Sequence, residues 1–197
     1  MKNSQLDYIL RIRLPITIFI VITSFALTYY ISRPERDGIG NTPEQPIQFS
    51  HKLHAGDMKM DCKYCHTGVD KTRHAMIPAV GTCMNCHTIA RKDRPQIQLL
   101  KTYYDEGKLL PWKRVHKVPD YAYFNHSVHV NKGIDCTACH GEVTQMEIIG
   151  QVSSFTMGSC LDCHKNVHDK LPELKSINKG PNNCYACHRY SEKNVNV

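Results

Sequence analysis

Large aromatic side chains are scarce in this 197-residue chain, with one tryptophan, five phenylalanines and 8% aromatics overall. Outside one N-terminal stretch the large aliphatic residues are thin too, so most of the chain lacks the material of an ordinary side-chain core. Basic residues are not interleaved with aromatics, which argues against a surface that stacks bases and pairs phosphates, so no nucleic-acid partner is expected. Long apolar runs are lacking as well, with a single exception near the N-terminus. Cysteine, by contrast, is abundant at ten residues. In a chain of this size that number points to disulfides, metal sites or covalent cofactor attachment.

No cysteine stands outside a C-x-x-C-H motif. The five motifs are Cys62/Cys65/His66, Cys83/Cys86/His87, Cys136/Cys139/His140, Cys160/Cys163/His164 and Cys184/Cys187/His188. Two thiols three residues apart on one turn can each add to a haem vinyl group, and the next histidine then lies under the iron as proximal ligand. Zinc would consume C-x-x-C units in pairs, which five cannot satisfy, and it does not require a histidine after each second cysteine. A disulfide framework would not repeat one five-residue unit. The cofactors expected are therefore five covalent c-type haems. Formal charge is 25 − 18 = +7. Five bis-histidine ferric haems at about −1 each bring this to about +2, and full reduction brings it to about −3.

Twelve histidines less five proximal ones leave seven, enough to supply a sixth ligand to five irons. The sequence repeats internally around four of them. Phe49-Ser-His51-Lys-Leu-His54 precedes Asp61-Cys62, and Phe124-Asn-His126-Ser-Val-His129 precedes Asp135-Cys136. Each copy is followed by a second motif, introduced by Gly81-Thr82 and Gly158-Ser159. Two dihaem units, 49–87 and 124–164, with a fifth haem at 184–188, are expected. Two imidazoles on one turn can reach two irons, so His51, His54, His126 and His129 are the expected distal ligands. The phenylalanines are expected to pack on porphyrin faces. For the fifth distal position His74, His116, His168 and Met157 are candidates, with Met146 behind them; Met84 sits inside a C-x-x-C loop and is a poor one.

The one apolar run, LPITIFIVITSFALTYYIS over 14–32, has the length to cross a bilayer as a helix. Lys2, Arg11 and Arg13 precede it, and Tyr29 and Tyr30 sit near its far end. Arg33 and Arg36 follow, partly offset by Glu35 and Asp37. Ser24-Phe25-Ala26 also reads as a signal-peptidase site, but the run continues six residues past Ala26 and favours a retained anchor. Haem c is attached outside the membrane, so the expected place is a bacterial inner membrane, single-pass, with the haem domain periplasmic. Residues 33–48, with three prolines and two glycines, read as a linker.

The exported part, 197 − 32 = 165 residues, offers 33 per haem. That is too little for five separate folds, so the haems are expected to form the core of one domain, 49–197. The fold class expected is mainly α and irregular with little sheet. The clearest helix is PQIQLLKTYYDEG, from Pro95 to Gly107, with Ile97, Leu100 and Tyr104 on one face to cover the haem cluster. Trp112 to Lys117 gathers positive charge suited to haem propionates.

The F-x-H-x-x-H and C-x-x-C-H arrangement resembles the class III multihaem cytochromes. FSHKLHAGDMKMDCKYCH, HAMIPAVGTCMNCH, RVHKVPDYAYFNHSVHV and TMGSCLDCH, with the N-terminal helix, look more specifically like the pentahaem subunit of alternative complex III. That resemblance covers most of 49–164. It implies an electron relay, fed by quinol oxidation, among integral membrane subunits, an iron–sulfur subunit and a monohaem cytochrome. The acceptor it implies is a periplasmic cytochrome c or an oxidase. A multihaem reductase with an open iron is the competing expectation, and there one motif would usually depart from histidine. All five end in histidine. A third possibility is a stand-alone quinol dehydrogenase, which would have to build its quinol site beside one uncharged helix.

Overall fold

The computed structural model describes residues 4–33 and 37–188. Lys2, residues 34–36 and residues 189–197, which carry the flanking charges and the tail of the expected haem domain, lie outside the described residues. The chain divides into two units, Met1–Asp37 and Gly38–Val197.

In the first unit, Ser4–Tyr8, Ile9–Arg13 and Leu14–Ile31 run on as one helix, α1. The π-helical turn at Ile9–Arg13 adds one residue per turn ahead of Pro15. From Leu14 the helix has apolar residues all round and none of them buried, the pattern of a helix solvated by lipid rather than by a protein core. It is long and apolar enough to span a membrane, and a signal sequence would pass the same test. The helix begins before the apolar run, and Asp7 pairs with Arg11 at 2.6 Å on its polar first turns.

The second unit is built from short helices joined by loops, and no β-strand occurs among the described residues. Every C-x-x-C-H motif lies on or at the start of a helix. These are α2 (Cys62–Cys65), α3 (Val80–His87), α6 (Thr137–His140), α7 (Met157–Lys165) and α9 (Cys184–Cys187). The two F-x-H-x-x-H turns form the π-turn Lys52–Asp57 and α5 (His126–Val130), and α8 is Val167–Lys170. The motif turns are capped by the residues ahead of them. Asp61 accepts from the Lys63 N–H at 2.7 Å, Asp135 from Thr137 at 2.8 Å and Asn183 from Ala186 at 3.0 Å.

Eight apolar side chains are buried among the described residues. Five of them, Ile47, Val80, Met84, Leu100 and Leu110, form one cluster with Cys83, Ile97, Tyr103 and Trp112 around it. This is where α4 (Pro95–Asp105) packs on α3. Pro95 starts α4 as its first helical residue, and Gly107 follows it in the left-handed region at φ 63°. Ile97 and Leu100 face this core as expected. Tyr103 rather than Tyr104 joins them, and Tyr104 stays half exposed. Trp112 belongs to the same core.

From Gly38 onward the stretch read as a linker is hydrogen-bonded into the second unit. Asn41 donates to the Val115 carbonyl at 2.8 Å, Gln45 and Lys113 exchange two bonds of 2.9 Å, and Ile47 is buried. Gln151, 1% exposed, ties these segments together. Its Oε1 accepts from the Lys117 N–H, its Nε2 donates to the Ser153 carbonyl, and its backbone bonds Gly40 and Asn41.

Candidate haem-binding site

The two F-x-H-x-x-H turns have the same construction. His54 bonds the Ser50 carbonyl through Nδ1 at 2.8 Å, and His129 bonds the Asn125 carbonyl at 2.8 Å. Phe49 stacks on His54 (4.3 Å, 26°) and stands edge-on to His51 (4.9 Å, 87°). Phe124 repeats this on His129 (4.7 Å, 30°) and His126 (4.8 Å, 85°). The aromatic at the first position therefore sets the orientation of both imidazoles.

With Nδ1 committed to a carbonyl, Nε2 is the nitrogen left to bind a metal. Four of the five histidines that end the motifs are arranged alike. His66 bonds Met76 O at 2.7 Å, His87 bonds Ala90 O at 2.9 Å, His164 bonds Pro181 O at 2.7 Å and His188 bonds Tyr121 O at 3.2 Å. Met76 and Arg91 adopt positive φ (63° and 56°), and this backbone turns the carbonyls at and before them toward the rings.

Metal–imidazole bonds are about 2.0 Å long. With each ring centroid about 1.1 Å behind its nitrogen, two imidazoles on opposite sides of one iron would have centroids about 6.2 Å apart. His54 and His87 are 6.2 Å apart, His129 and His164 6.2 Å, and His126 and His140 6.4 Å with planes parallel to 5°. Each pair joins one histidine of an F-x-H-x-x-H turn with one that ends a motif. His51 lies in the field of His66, the equivalent pairing in the first unit. The residues present therefore fit haem.

Electrostatics points the same way. Burial, then the neighbouring imidazoles, hold both His51 and His140 down to about 4. Burial also lowers His129 and His116. A neutral imidazole is the form that binds iron, so burial prepares the ligand state. The thiols of Cys65, Cys83, Cys136, Cys139 and Cys160 are pushed up by burial and then by neighbouring thiols. Those neighbours bring the motifs together: Cys83 by Cys65, Cys136 hydrogen-bonded with Cys62, Cys139 by Cys163, and Cys160 by Cys187.

The ten cysteines differ in exposure. Cys62, Cys86 and Cys184 are exposed, whereas the other seven are half-buried. For Cys86 the reason is helical geometry. Helix α3 turns Val80, Cys83 and Met84 toward α4, and Cys86, two positions past Met84, falls on the opposite face. Its carbonyl closes the helix, accepting from the N–H groups of Ile89 (3.1 Å) and Ala90 (2.8 Å). An exposed thiol three residues from a half-buried one still suits the motif, since the two sulfurs meet different edges of one porphyrin.

The other candidates are placed differently. His116 bonds the Gly150 carbonyl through one nitrogen, and its Nε2 is buried with no partner. Its ring stands edge-on to His140 at 4.4 Å. His74, His168 and Met157 are exposed, Met157 at the first residue of α7. Met146 follows the 3₁₀ turn Val143–Gln145, and its carbonyl accepts from the Lys52 N–H at 3.0 Å. Met84 belongs to the apolar core. The backbone carbonyls that orient the rings, and Gly180, whose missing Cβ leaves room for the His164 ring, were not foreseen from sequence. The caps Asp61, Asp135 and Asn183 carry a readable signal, since each is an N-cap residue type ahead of a short helix.

Two family descriptions match adjoining parts of the chain. "Class III cytochrome C family" matches residues 29–117, with two motifs, and "Cytochrome c7 and related cytochrome c" matches 122–189, with three. Over both stretches the chain is similar to multihaem cytochromes c. A relative from Nitratidesulfovibrio vulgaris (strain Hildenborough), the multiheme cytochrome c subunit of a menaquinone reductase, is 27% identical over 167 residues. The match covers 74% of this cytochrome and 77% of the relative. The cytochrome is thus an electron-transfer protein related to a subunit of a quinone-linked enzyme.

Proposed function

We propose that this cytochrome carries five c-type haems and is the electron-relay subunit of a membrane quinone oxidoreductase of the alternative complex III kind. The observation that carries the reading is the set of three imidazole pairs at 6.2–6.4 Å, each spanning the width of one bis-histidine iron. When bound, haem c supplies one-electron ferric–ferrous chemistry. Ten cysteines hold it through thioethers, and His66, His87, His140, His164 and His188 are the proximal ligands. His51, His54, His126 and His129 are distal ligands to the four haems of the two repeat units. Carbonyl acceptors fix the tautomer of His54, His66, His87, His126, His129, His164 and His188. Held by these histidines on both faces, haem would carry electrons and leave no open site for a substrate, which sets the relay above a reductase.

The apolar helix is the membrane anchor, with the haem domain on the periplasmic side of a bacterial inner membrane. Integral membrane and iron–sulfur subunits are the partners in this reading, and a cytochrome c or an oxidase is the acceptor. The menaquinone reductase relative supports the quinone link and favours one second reading, in which electrons run toward the quinone.

Purification of the tagged chain in mild detergent tests both. The expected result is co-purifying membrane and iron–sulfur subunits, and haem reduction on adding a short-chain quinol. If a soluble electron donor reduces the haems and quinone reoxidises them while quinol does nothing, the second reading replaces the first. A chain that purifies alone and exchanges electrons with neither sinks the complex assignment.

A further inference from the structure

Building on the five-haem reading, the fifth haem needs a distal ligand that neither F-x-H-x-x-H turn supplies. Three histidines remain once the four pairs and His188 of the fifth motif are set aside. His116 has a buried Nε2 with no hydrogen-bond partner, but it stands beside the third motif rather than the fifth. Its other nitrogen is bonded to Gly150, and its ring is packed edge-on to His140. His168 sits on α8, which packs on the α7 helix of the fourth motif.

His74 is carried to the fifth motif by its backbone. The Arg73 carbonyl accepts from both the backbone N–H (3.2 Å) and the Nδ1 (2.9 Å) of His126. The Ser127 N–H bonds Thr72 O, and Asn131 bonds Asp70 O. This lays 70–74 along the second repeat unit. The Arg73 guanidinium then covers the Tyr123 ring at 4.2 Å, and the Tyr123 N–H bonds Cys187 O at 2.6 Å. Two residues back, the Tyr121 carbonyl takes the His188 Nδ1 bond. Segments 72–74, 121–123 and 187–188 are therefore joined side by side. Thr72 Oγ1 bonds both the N–H and the carbonyl of His74, fixing its backbone, while the imidazole remains exposed.

We infer that His74, reaching across from the first repeat unit, is the distal ligand of the haem held by Cys184, Cys187 and His188. The loop between the two motifs of the second unit, residues 141–159, contains no histidine. The first unit supplies its own loop histidine instead. That ligand ties the last haem to the first unit, so the tail of the domain is closed by coordination rather than by packing.

The test uses the full-length protein in detergent. A pyridine haemochrome assay on wild type first establishes five haems per chain, and any other count overturns the five-haem reading itself. With five present, His74→Ala is expected to convert one haem in five to high spin. The reduced variant then binds one carbon monoxide per chain where wild type binds none. Added imidazole restores the wild-type spectrum. His74→Met is expected to stay six-coordinate, gaining the methionine-to-ferric-iron charge-transfer band and one raised potential. His168→Ala is expected to leave all five haems low-spin. The assignment is overturned if His74→Ala remains fully six-coordinate. It is equally overturned if His168→Ala, Met146→Leu or Met157→Leu opens the iron instead, or if wild type already binds one carbon monoxide.

Discussion

Replacing Gly180 with alanine tests the site at the point where backbone and ligand are closest. A Cβ at this position would lie 2.4 Å from Cγ, 2.6 Å from Cδ2 and 2.8 Å from Nδ1 of His164. Non-bonded carbons sit at about 3.5–4.0 Å, so the ring would have to retreat by about 1 Å. It has no free direction. Its Nδ1 is bonded to Pro181 O at 2.7 Å, its carbonyl accepts from the Gly180 N–H at 3.1 Å, and Cys163 precedes it. Gly180 is not among the positive-φ glycines, so the effect is one of space alone. Overpacking of this kind costs about 1–3 kcal/mol, or a Tm lowered by roughly 2–10 °C in a chain of this size. A retreat of about 1 Å also exceeds what an iron–nitrogen bond of about 2.0 Å tolerates. Gly180→Ala is therefore expected to bind one carbon monoxide per reduced chain, while Gly158→Ala, whose Cβ meets nothing nearer than 3.9 Å, binds none. A Gly180→Ala protein with wild-type Tm and no carbon monoxide binding would refute the placement of His164.

Asp135→Ala removes the cap of the third motif and is expected to cost about 1 kcal/mol in chemical denaturation, while Asp135→Asn keeps the acceptor and costs little. Hydrogen bonds from the Thr137 hydroxyl, then from its N–H, hold the Asp135 carboxyl below the ordinary carboxylate range. Its folded-state value is the lower one, so its contribution is complete above the unfolded carboxylate pKa and is lost as pH falls through the folded value. Acid unfolding followed by the Soret band should show that loss in wild type and not in Asp135→Asn. Gln151→Ala leaves the Lys117 N–H and the Ser153 carbonyl without their buried partner, and a loss of about 1–3 kcal/mol is expected by thermal melting. Gly56→Ala would set a Cβ 2.2 Å from the Thr144 carbonyl oxygen, and backbone cannot yield as a side chain does. Limited proteolysis should then cut between the π-turn 52–57 and residues 143–145, where wild type resists.

What was legible in the sequence is what local chemistry writes in residue types. The C-x-x-C-H motif needs its three residues on one turn, and F-x-H-x-x-H needs its rings on the next, so both are visible at short spacing. The helical, strand-poor fold followed from too little protein per haem, and the described residues contain no strand. Which cysteines are enclosed was not legible, because the exposure of Cys86 depends on the face that α3 turns to α4. The carbonyls that orient the rings were hidden too, because a backbone oxygen carries no residue identity. Met76 lies 10 residues from His66, and Tyr121 lies 67 from His188. The stretch after Gly38 looked like a linker by its prolines and glycines. Its hydrogen-bond partners include backbone groups at 113, 115 and 151, which composition does not reveal.

The repeat explains the histidine pairs but not how the two copies are joined. Within each copy the second histidine takes the carbonyl four residues back, and the phenylalanine stacks on it at nearly the same angle. The first histidines diverge. His126 spends its Nδ1 on Arg73 of the other copy, while the Nδ1 of His51 is buried with no partner. Duplication can copy a contact made inside a unit, but a contact between units has only one place to form. The 70–76 loop of the first unit provides it. This loop bonds α5 through Thr72 and Arg73, stacks Arg73 on Tyr123, and offers Met76 O to His66. One unrepeated loop therefore orients His66 in one unit and His126 in the other, which makes it the segment where the two halves are joined.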